Sequence, residues 1–182
     1  NIKFIKHDLK NEIKYNGNID FIINAAATHE QSKNVFLKDY YAGNILSIKN
    51  LISFAKKKKI KVFINLSTIT VLGNTSLNIL NEKSKIENQS ILGITKFVGE
   101  KLLEFSNIKY INLRLPGVLL NKKNKDRPWL NSIFYRLNKN KNLNIYLGNK
   151  KFNNVIDSYE IYKFLNFILN KVNFKKFNHS GT

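Results

Sequence analysis

The run Phe63-Ile-Asn-Leu-Ser-Thr-Ile-Thr-Val-Leu-Gly73 begins β-branched and apolar and ends in hydroxyls and a glycine. That is the pattern of a parallel strand, buried on both faces, that delivers polar side chains to its carboxyl edge. A second run, Leu92-Gly-Ile-Thr-Lys96-Phe-Val-Gly-Glu100, reads as the opening of a helix with a lysine on its inner side. A hydroxyl at a strand end facing a lysine on a helix is the skeleton of an active site.

The rest of the chain repeats this alternation. Ile2 to Ile5 is a short strand candidate, followed by His7-Asp8-Leu9. Asp20-Phe-Ile-Ile-Asn-Ala-Ala-Ala27 is an apolar run ending in small residues, where a ligand can approach the backbone closely. A helix is predicted from about Ser32 to Lys57, with Leu37, Tyr41, Ile45, Ile48, Ile52 and Ala55 inward at steps of three and four. Lys56 to Lys59 would end it, favourably at the negative end of the macrodipole. Ile60 to Leu66 is the next strand and Ser90 to Phe105 the next helix. Tyr110-Ile-Asn-Leu-Arg-Leu-Pro116 is a strand that stops at Pro116-Gly117. Further elements are expected at 129–137 (helix), 143–147 (strand), 152–156 (extended), 158–169 (helix) and 177–182 (strand-like).

Strands alternating with amphipathic helices predict an α/β fold, a Rossmann-type parallel sheet with flanking helices. Ligands of such sheets sit outside the carboxyl ends of the strands. Here those ends are Asp8, Ala25 to Ala27, Ser67 to Thr70 and Leu115 to Val118.

Composition narrows the function classes. Cys 0 removes a disulfide framework and thiolate metal sites and fits a reducing compartment; the expected location is the cytoplasm. His7, His29 and His179 are dispersed and make no metal set. No apolar run reaches the length of a membrane span. Met 0 predicts a piece of a longer chain. The net charge is +19, with 31 Lys and Arg against 12 Asp and Glu. A basic nucleic-acid binder is one reading of it. The lysines are spread along the chain, though, and neither an RNA-binding aromatic signature nor a recognition helix is present, so nucleic acid is not the expected partner. Attraction of anionic substrates is the other use of the charge.

Single residues carry two readings each. Asp8 could read an adenine or ribose, or cap a turn. Ala25, Ala26 and Ala27 could lie against a nucleotide or simply pack. Asn44 could pin a neighbouring loop or be solvated. Thr68 could offer its hydroxyl to a substrate oxygen or cap a turn. Lys96 could bind ribose hydroxyls or snorkel to the surface.

Taken in order, these stretches resemble the extended short-chain dehydrogenase/reductases, the NAD-dependent epimerase/dehydratase family that remodels nucleotide sugars. Ile5-Lys-His-Asp8-Leu9 resembles the family's Gly-Asp-Leu adenine contact. Ile22-Ile-Asn-Ala-Ala-Ala27 resembles its His-Leu-Ala-Ala strand end. Tyr40-Tyr-Ala-Gly-Asn44-Ile-Leu-Ser-Ile-Lys-Asn-Leu51 resembles Val-Asn-x-x-Gly-Thr-x-Asn-Leu, with Asn44 at the structural asparagine. Leu66-Ser-Thr68-Ile-Thr-Val-Leu-Gly73 resembles Ser-Ser-x-x-Val-Tyr-Gly, with Thr68 at the catalytic Ser/Thr. Asn112-Leu-Arg114-Leu-Pro116-Gly-Val118-Leu resembles the Leu-Arg-x-x-x-Val-Tyr-Gly strand, and Asn178-His-Ser-Gly181 resembles Asn-x-Gly-x-Gly.

The resemblance implies NAD or NADP as cofactor, contacted by Asp8, Leu9, Ala25, Ala26, Ala27, Asn44, Lys96 and Pro116. It implies a nucleotide-sugar substrate, oxidised transiently by hydride transfer, in surface polysaccharide synthesis. A homodimer is the candidate assembly. It also divides the chain into a partial cofactor domain at 1–118 and a partial substrate lobe at 119–182 with a returning strand and helix.

Three departures qualify it. The family's Tyr-Gly-x-Ser/Thr-Lys-x-x-x-Glu motif has Lys96 in register, but Leu92 holds the tyrosine position. Residues 92 and 96 share a helix face, and leucine can neither give nor take a proton. The Gly-x-Gly-x-x-Gly phosphate loop is not in this sequence. Leu72 and Leu120 replace the family's Tyr and Gly. The alternative function is therefore a cofactor-binding relative without redox activity.

Overall fold

The structure is a computed structural model that describes residues 2–29, 35–74, 79–119, 128–143 and 155–171. The expected pieces at 143–147 and 177–182 fall wholly or almost wholly outside these residues, as do Leu120 and the first three residues of the extended piece expected at 152–156. The chain divides into two compact units, one holding the described residues up to Leu115 and the other beginning at Pro116.

The first unit is built on three parallel strands in the order β1-β2-β3: β1 is Phe21–Asn24, β2 Val62–Thr68 and β3 Tyr110–Leu115. Register runs from Phe21 opposite Val62 to Asn24 opposite Asn65, and from Phe63 opposite Tyr110 to Thr68 opposite Leu115. Both crossovers are helical, as parallel neighbours require. The first consists of α1 (Leu37–Tyr40), a π-helical segment (Tyr41–Leu46) and α2 (Ser47–Lys58). The second is α3 (Ile91–Glu104), preceded by a 3-10 turn at Ile69–Leu72. Ile48, Leu51, Ile52 and Ala55 of α2 close on Phe63 of β2 and Leu103 of α3 to form the core. Burial of such side chains is worth about 1.5–3 kcal/mol each and sets the sheet–helix spacing. Lys59 ends α2 in the left-handed conformation (φ 50°), its amide bonded to the Ala55 and Lys56 carbonyls.

The π segment changes the helix phase. A steady 3.6-residue period places Leu37 and Tyr41 inward, yet Leu37 is exposed and Tyr41 is 53% exposed, while Tyr40 is 6% exposed. A π turn takes in an extra residue, so the inward position before it shifts back by one, from 41 to 40. Ile2 to Ile5 differs from expectation as well. It forms no strand, and Ile2 and Phe4 stand 100% and 92% exposed. A strand needs a neighbour for its backbone groups, and none pairs with it among the described residues.

In the second unit β4 (Gly117–Leu119) pairs in parallel with β5 (Val155–Asp157). Helix α4 spans Pro128–Asn138 and α5 spans Ser158–Lys171. Asp157 caps α5, its carboxylate accepting the Tyr159 amide at 2.6 Å. No described helix is long and apolar enough to cross a membrane.

Candidate functional site

The carboxyl ends of β1 and β2 lie at one edge of the first unit's sheet, because the strands are parallel and in register. Three glycine contacts and a set of buried amides shape that edge.

Thr68 is the last residue of β2 and caps the 3-10 turn. Its Oγ1 accepts from the Thr70 amide at 3.2 Å and from the Thr70 hydroxyl at 3.1 Å. Both bonds use its lone pairs, so its own proton is not spent in either. At Gly73 (φ 74°) the chain leaves the turn in a conformation L side chains rarely adopt, and it bridges to Glu87. Helix α3 starts against this turn. Its N-cap Ser90 accepts the Gly93 amide at 3.2 Å, and a Cβ at Gly93 would stand 2.3 Å from the Thr70 carbonyl oxygen. The missing side chain lets α3 close on the strand end.

Lys96 occupies the inner face of α3 and is 6% exposed. Its Nζ donates to the Leu66 carbonyl at 2.7 Å, two residues before Thr68. Burial pushes its pKa down from 10.5 to about 8, against the Glu100 carboxylate, which favours the charged form. The ammonium is therefore tied to the strand end and poorly solvated, and it does not snorkel. Leu92, one turn earlier, is half-buried. Glu100, one turn later, is 3% exposed and pairs with Arg114 of β3 through Nη2 at 2.7 Å, and it accepts the Ser67 hydroxyl. The sequence places Ser67 at a strand end and Glu100 and Arg114 within motifs, and it assigns none of the three a role of its own.

Asn44 sits in the π segment, buried. Its Oδ1 accepts the Thr28 amide at 2.8 Å, and its Nδ2 donates to the Thr28 carbonyl at 3.3 Å and the Thr95 hydroxyl at 3.0 Å. Both amide hydrogens are spent, so Asn44 pins the loop after β1 to α3. Gly43 beside it permits the approach, since a Cβ there would meet Thr28 Oγ1 at 2.0 Å.

That loop forms one wall of a cleft of about 430 Å³ whose lining includes Asp8, Leu9, Ala26, Ala27, Thr28 and Gly43. Asp8 is exposed, and its carboxylate accepts the Lys10 amide at 3.1 Å, the main cause of its lowered pKa. The Leu9 carbonyl is held by Asn50 Nδ2 at 2.9 Å. Ala25 is exposed, and Ala26 donates its amide to Asn24 Oδ1 at 3.2 Å. Pro116 belongs to the second unit.

A ladder of buried amides crosses the three strands at one register level. Asn24 Nδ2 donates to Asn65 Oδ1 at 3.0 Å, and Asn65 Nδ2 donates to Asn112 Oδ1 at 2.9 Å. Through Asn24 it also holds the Ala26 amide. The sequence carries a trace of it: each strand holds an asparagine two or three residues after an aromatic, in an otherwise apolar run. Among the described residues no cluster of side chains could hold a metal ion.

The family model "NAD dependent epimerase/dehydratase family" matches residues 3–173. A comparison with curated proteins finds no match. Among solved structures, the chain is similar to UDP-glucuronic acid 4-epimerase from Bacillus cereus in complex with NAD. The TM-score is 0.72 at 22% identity, over 86% of this chain and 51% of that one. It is similar to the UDP-Glc/GlcNAc 4-epimerase of Campylobacter jejuni, with TM-score 0.70 and 20% identity, over 98% of this chain and 61% of that one. It is also similar to the Bordetella bronchiseptica enzyme WbmG in complex with NAD, with TM-score 0.64 and 19% identity, over 84% of this chain and 47% of that one. The chain spans about half the length of these structures, which share its Rossmann-like fold. With parallel strands, helical crossovers and a family match over nearly its whole length, the chain belongs to the NAD dependent epimerase/dehydratase family.

Proposed function

We propose that this chain is part of an NAD(P)-dependent epimerase, dehydratase or reductase that acts on a nucleotide-linked sugar in surface polysaccharide synthesis. The observation that carries the reading is the buried Lys96 ammonium on the Leu66 carbonyl, at the strand end that Thr68 closes.

The residues present fit the two ends of a dinucleotide. A carboxylate, small side chains and a 430 Å³ cleft suit an adenosine, with Asp8, Leu9, Ala26 and Ala27 in its lining and Ala25 exposed next to Ala26 in the chain. A buried ammonium with hydrogens to share suits the hydroxyls of the second ribose. A glycine-rich turn for the pyrophosphate is not in this sequence. Bound there, NAD or NADP would accept a hydride from the sugar carbon that bears the hydroxyl. Thr68 orients the sugar oxygen with its unspent proton. Asn44 acts through the loop it pins. The net charge of +19 favours encounter with anionic nucleotide sugars, and the absence of cysteine suits the reducing cytoplasm. Several structures that the fold resembles are named as acting on UDP-sugars.

Leu92 favours a second reading, a relative that binds the cofactor and does no redox chemistry. The side chain one turn before Lys96 has no proton to exchange. The test is the protein that contains this chain, unmodified and as Leu92→Tyr, followed by reduced-cofactor absorbance with UDP-sugars. Turnover by the unmodified protein eliminates the second reading. Turnover only in Leu92→Tyr establishes it. If neither binds NAD or NADP, both readings fail.

A further inference from the structure

Glu100 is held from two strands at once. Arg114 Nε donates to Oε1 at 3.1 Å and to Oε2 at 3.2 Å, Arg114 Nη2 donates to Oε2 at 2.7 Å, and the Ser67 hydroxyl donates to Oε1. Ser67 and Arg114 are opposite each other in the β2–β3 register. One turn earlier on α3, Lys96 reaches the carbonyl of Leu66, the residue adjoining Ser67. Successive residues of β2 therefore grip successive turns of α3. The carboxylate is spent on Arg114, and the ammonium rests on a neutral carbonyl. A bidentate guanidinium pair of this kind is among the most directional contacts available to a buried carboxylate.

We infer that Glu100 is a positioning residue for Lys96: held by Arg114 and Ser67, it fixes how α3 presents the ammonium at the end of β2. The consequence for function rests on the reading of Lys96 as the ribose-binding amine. The titration of the amine does not.

Among the described residues the charged groups near Lys96 are few. Glu100 lies on its own helix and Arg114 on β3. The β2 end and the 3-10 turn present the hydroxyls of Ser67, Thr68 and Thr70. The π segment presents Asn44, and α2 meets α3 where Ile48 packs on Gly99. Asp39, at the α1 end, accepts the Phe36 amide at 2.9 Å. Burial lowers the Lys96 pKa to about 8 and the Glu100 charge opposes that fall, so any change in where the carboxylate points is read out at the amine.

The test is the pH titration of the Lys96 side chain by carbon-13 NMR on the protein that contains this chain, the signal assigned by its loss in Lys96→Arg. Glu100→Gln removes the opposing charge and lowers the proton affinity of Lys96 by about tenfold, the size of one close opposite charge. Arg114→Gln frees the carboxylate to turn toward Lys96 and raises it. Arg114→Lys restores the unmodified midpoint. A purely structural tie would lower the melting temperature of these variants and leave the Lys96 midpoint unmoved, which overturns the inference. If Glu100→Gln does not fold, Arg114→Gln and Arg114→Lys decide alone, and equal midpoints in that pair overturn it too. Failure of the protein to bind NAD would count against the proposed function and leave this titration standing.

Discussion

Lys96 and Leu66 join helix α3 to strand β2 at the candidate site, the ammonium donating to the backbone carbonyl at 2.7 Å in a setting that leaves Lys96 6% exposed. Burial lowers its pKa from 10.5 to about 8. The unfolded chain holds this proton at its ordinary value, so across that window the unfolded state binds a proton that the folded state has lost. Stability therefore rises with pH from about 8 to 10.5, and the burial penalty is fully present below about 8. The gap corresponds to an effect on the order of 3 kcal/mol. Lys96→Met keeps the alkyl stem and has no amine to titrate. Denaturant unfolding of both proteins along a pH series should show their stability difference move toward the unmodified protein through this window. A difference that stays constant with pH refutes the burial of a charged amine.

Asn44 is the joint between the loop after β1 and helix α3. Asn44→Ala orphans the Thr28 amide and should cost about 3 kcal/mol in unfolding free energy. Asn44→Asp keeps the acceptor for that amide, loses both donors and buries a carboxylate. Its cost should be larger at neutral pH and shrink in acid as the carboxyl takes up a proton. Equal cost of the two variants at every pH would contradict the geometry.

Gly43 and Thr28 are coupled by contact. A Cβ at Gly43 would stand 2.0 Å from Thr28 Oγ1, a hydroxyl held by the Asp39 carbonyl at 3.0 Å. Gly43→Ala should destabilise by about 1–3 kcal/mol. Adding Thr28→Ala removes the nearest atom, so the double variant should recover part of that loss. A double-mutant cycle checks it, and strict additivity would show that the contact is not what Gly43 is there to permit.

The asparagine ladder makes its own prediction. Asn65→Leu leaves Asn24 Nδ2 and Asn112 Oδ1 without their ladder partners, at about 2–4 kcal/mol. Asn112→Leu alone orphans Asn65 Nδ2. Combined, the two substitutions should cost less than the sum of the singles, because two of the orphaned groups are removed together. Chemical denaturation of the three variants measures it.

Much of the site was legible from the chain itself. Apolar runs that end in small or hydroxyl residues named the carboxyl ends of β1 and β2. The four-residue spacing put Leu92 and Lys96 on one helix face, and a period is a local property. The long helix was legible at its carboxyl end, but it starts at Leu37, after an extended Phe36, and not near Ser32, and it was misplaced in phase, because the π turn at Tyr41–Leu46 shifts the inward position from Tyr41 to Tyr40. That turn is bound up with the fit of Gly43 and Asn44 against Thr28, which lies outside the helix.

The sequence by itself determined the alternation of strand and helix, the edge that carries the carboxyl ends of the strands, and the absence of a proton-bearing side chain at position 92. Only the tertiary structure decided that Asn24, Asn65 and Asn112 share one level, that Arg114 and Ser67 hold Glu100, and that the Lys96 amine is poorly solvated. These depend on strand register and on burial among residues 14 or more positions apart, and a local pattern of residues does not encode the dielectric around a charge.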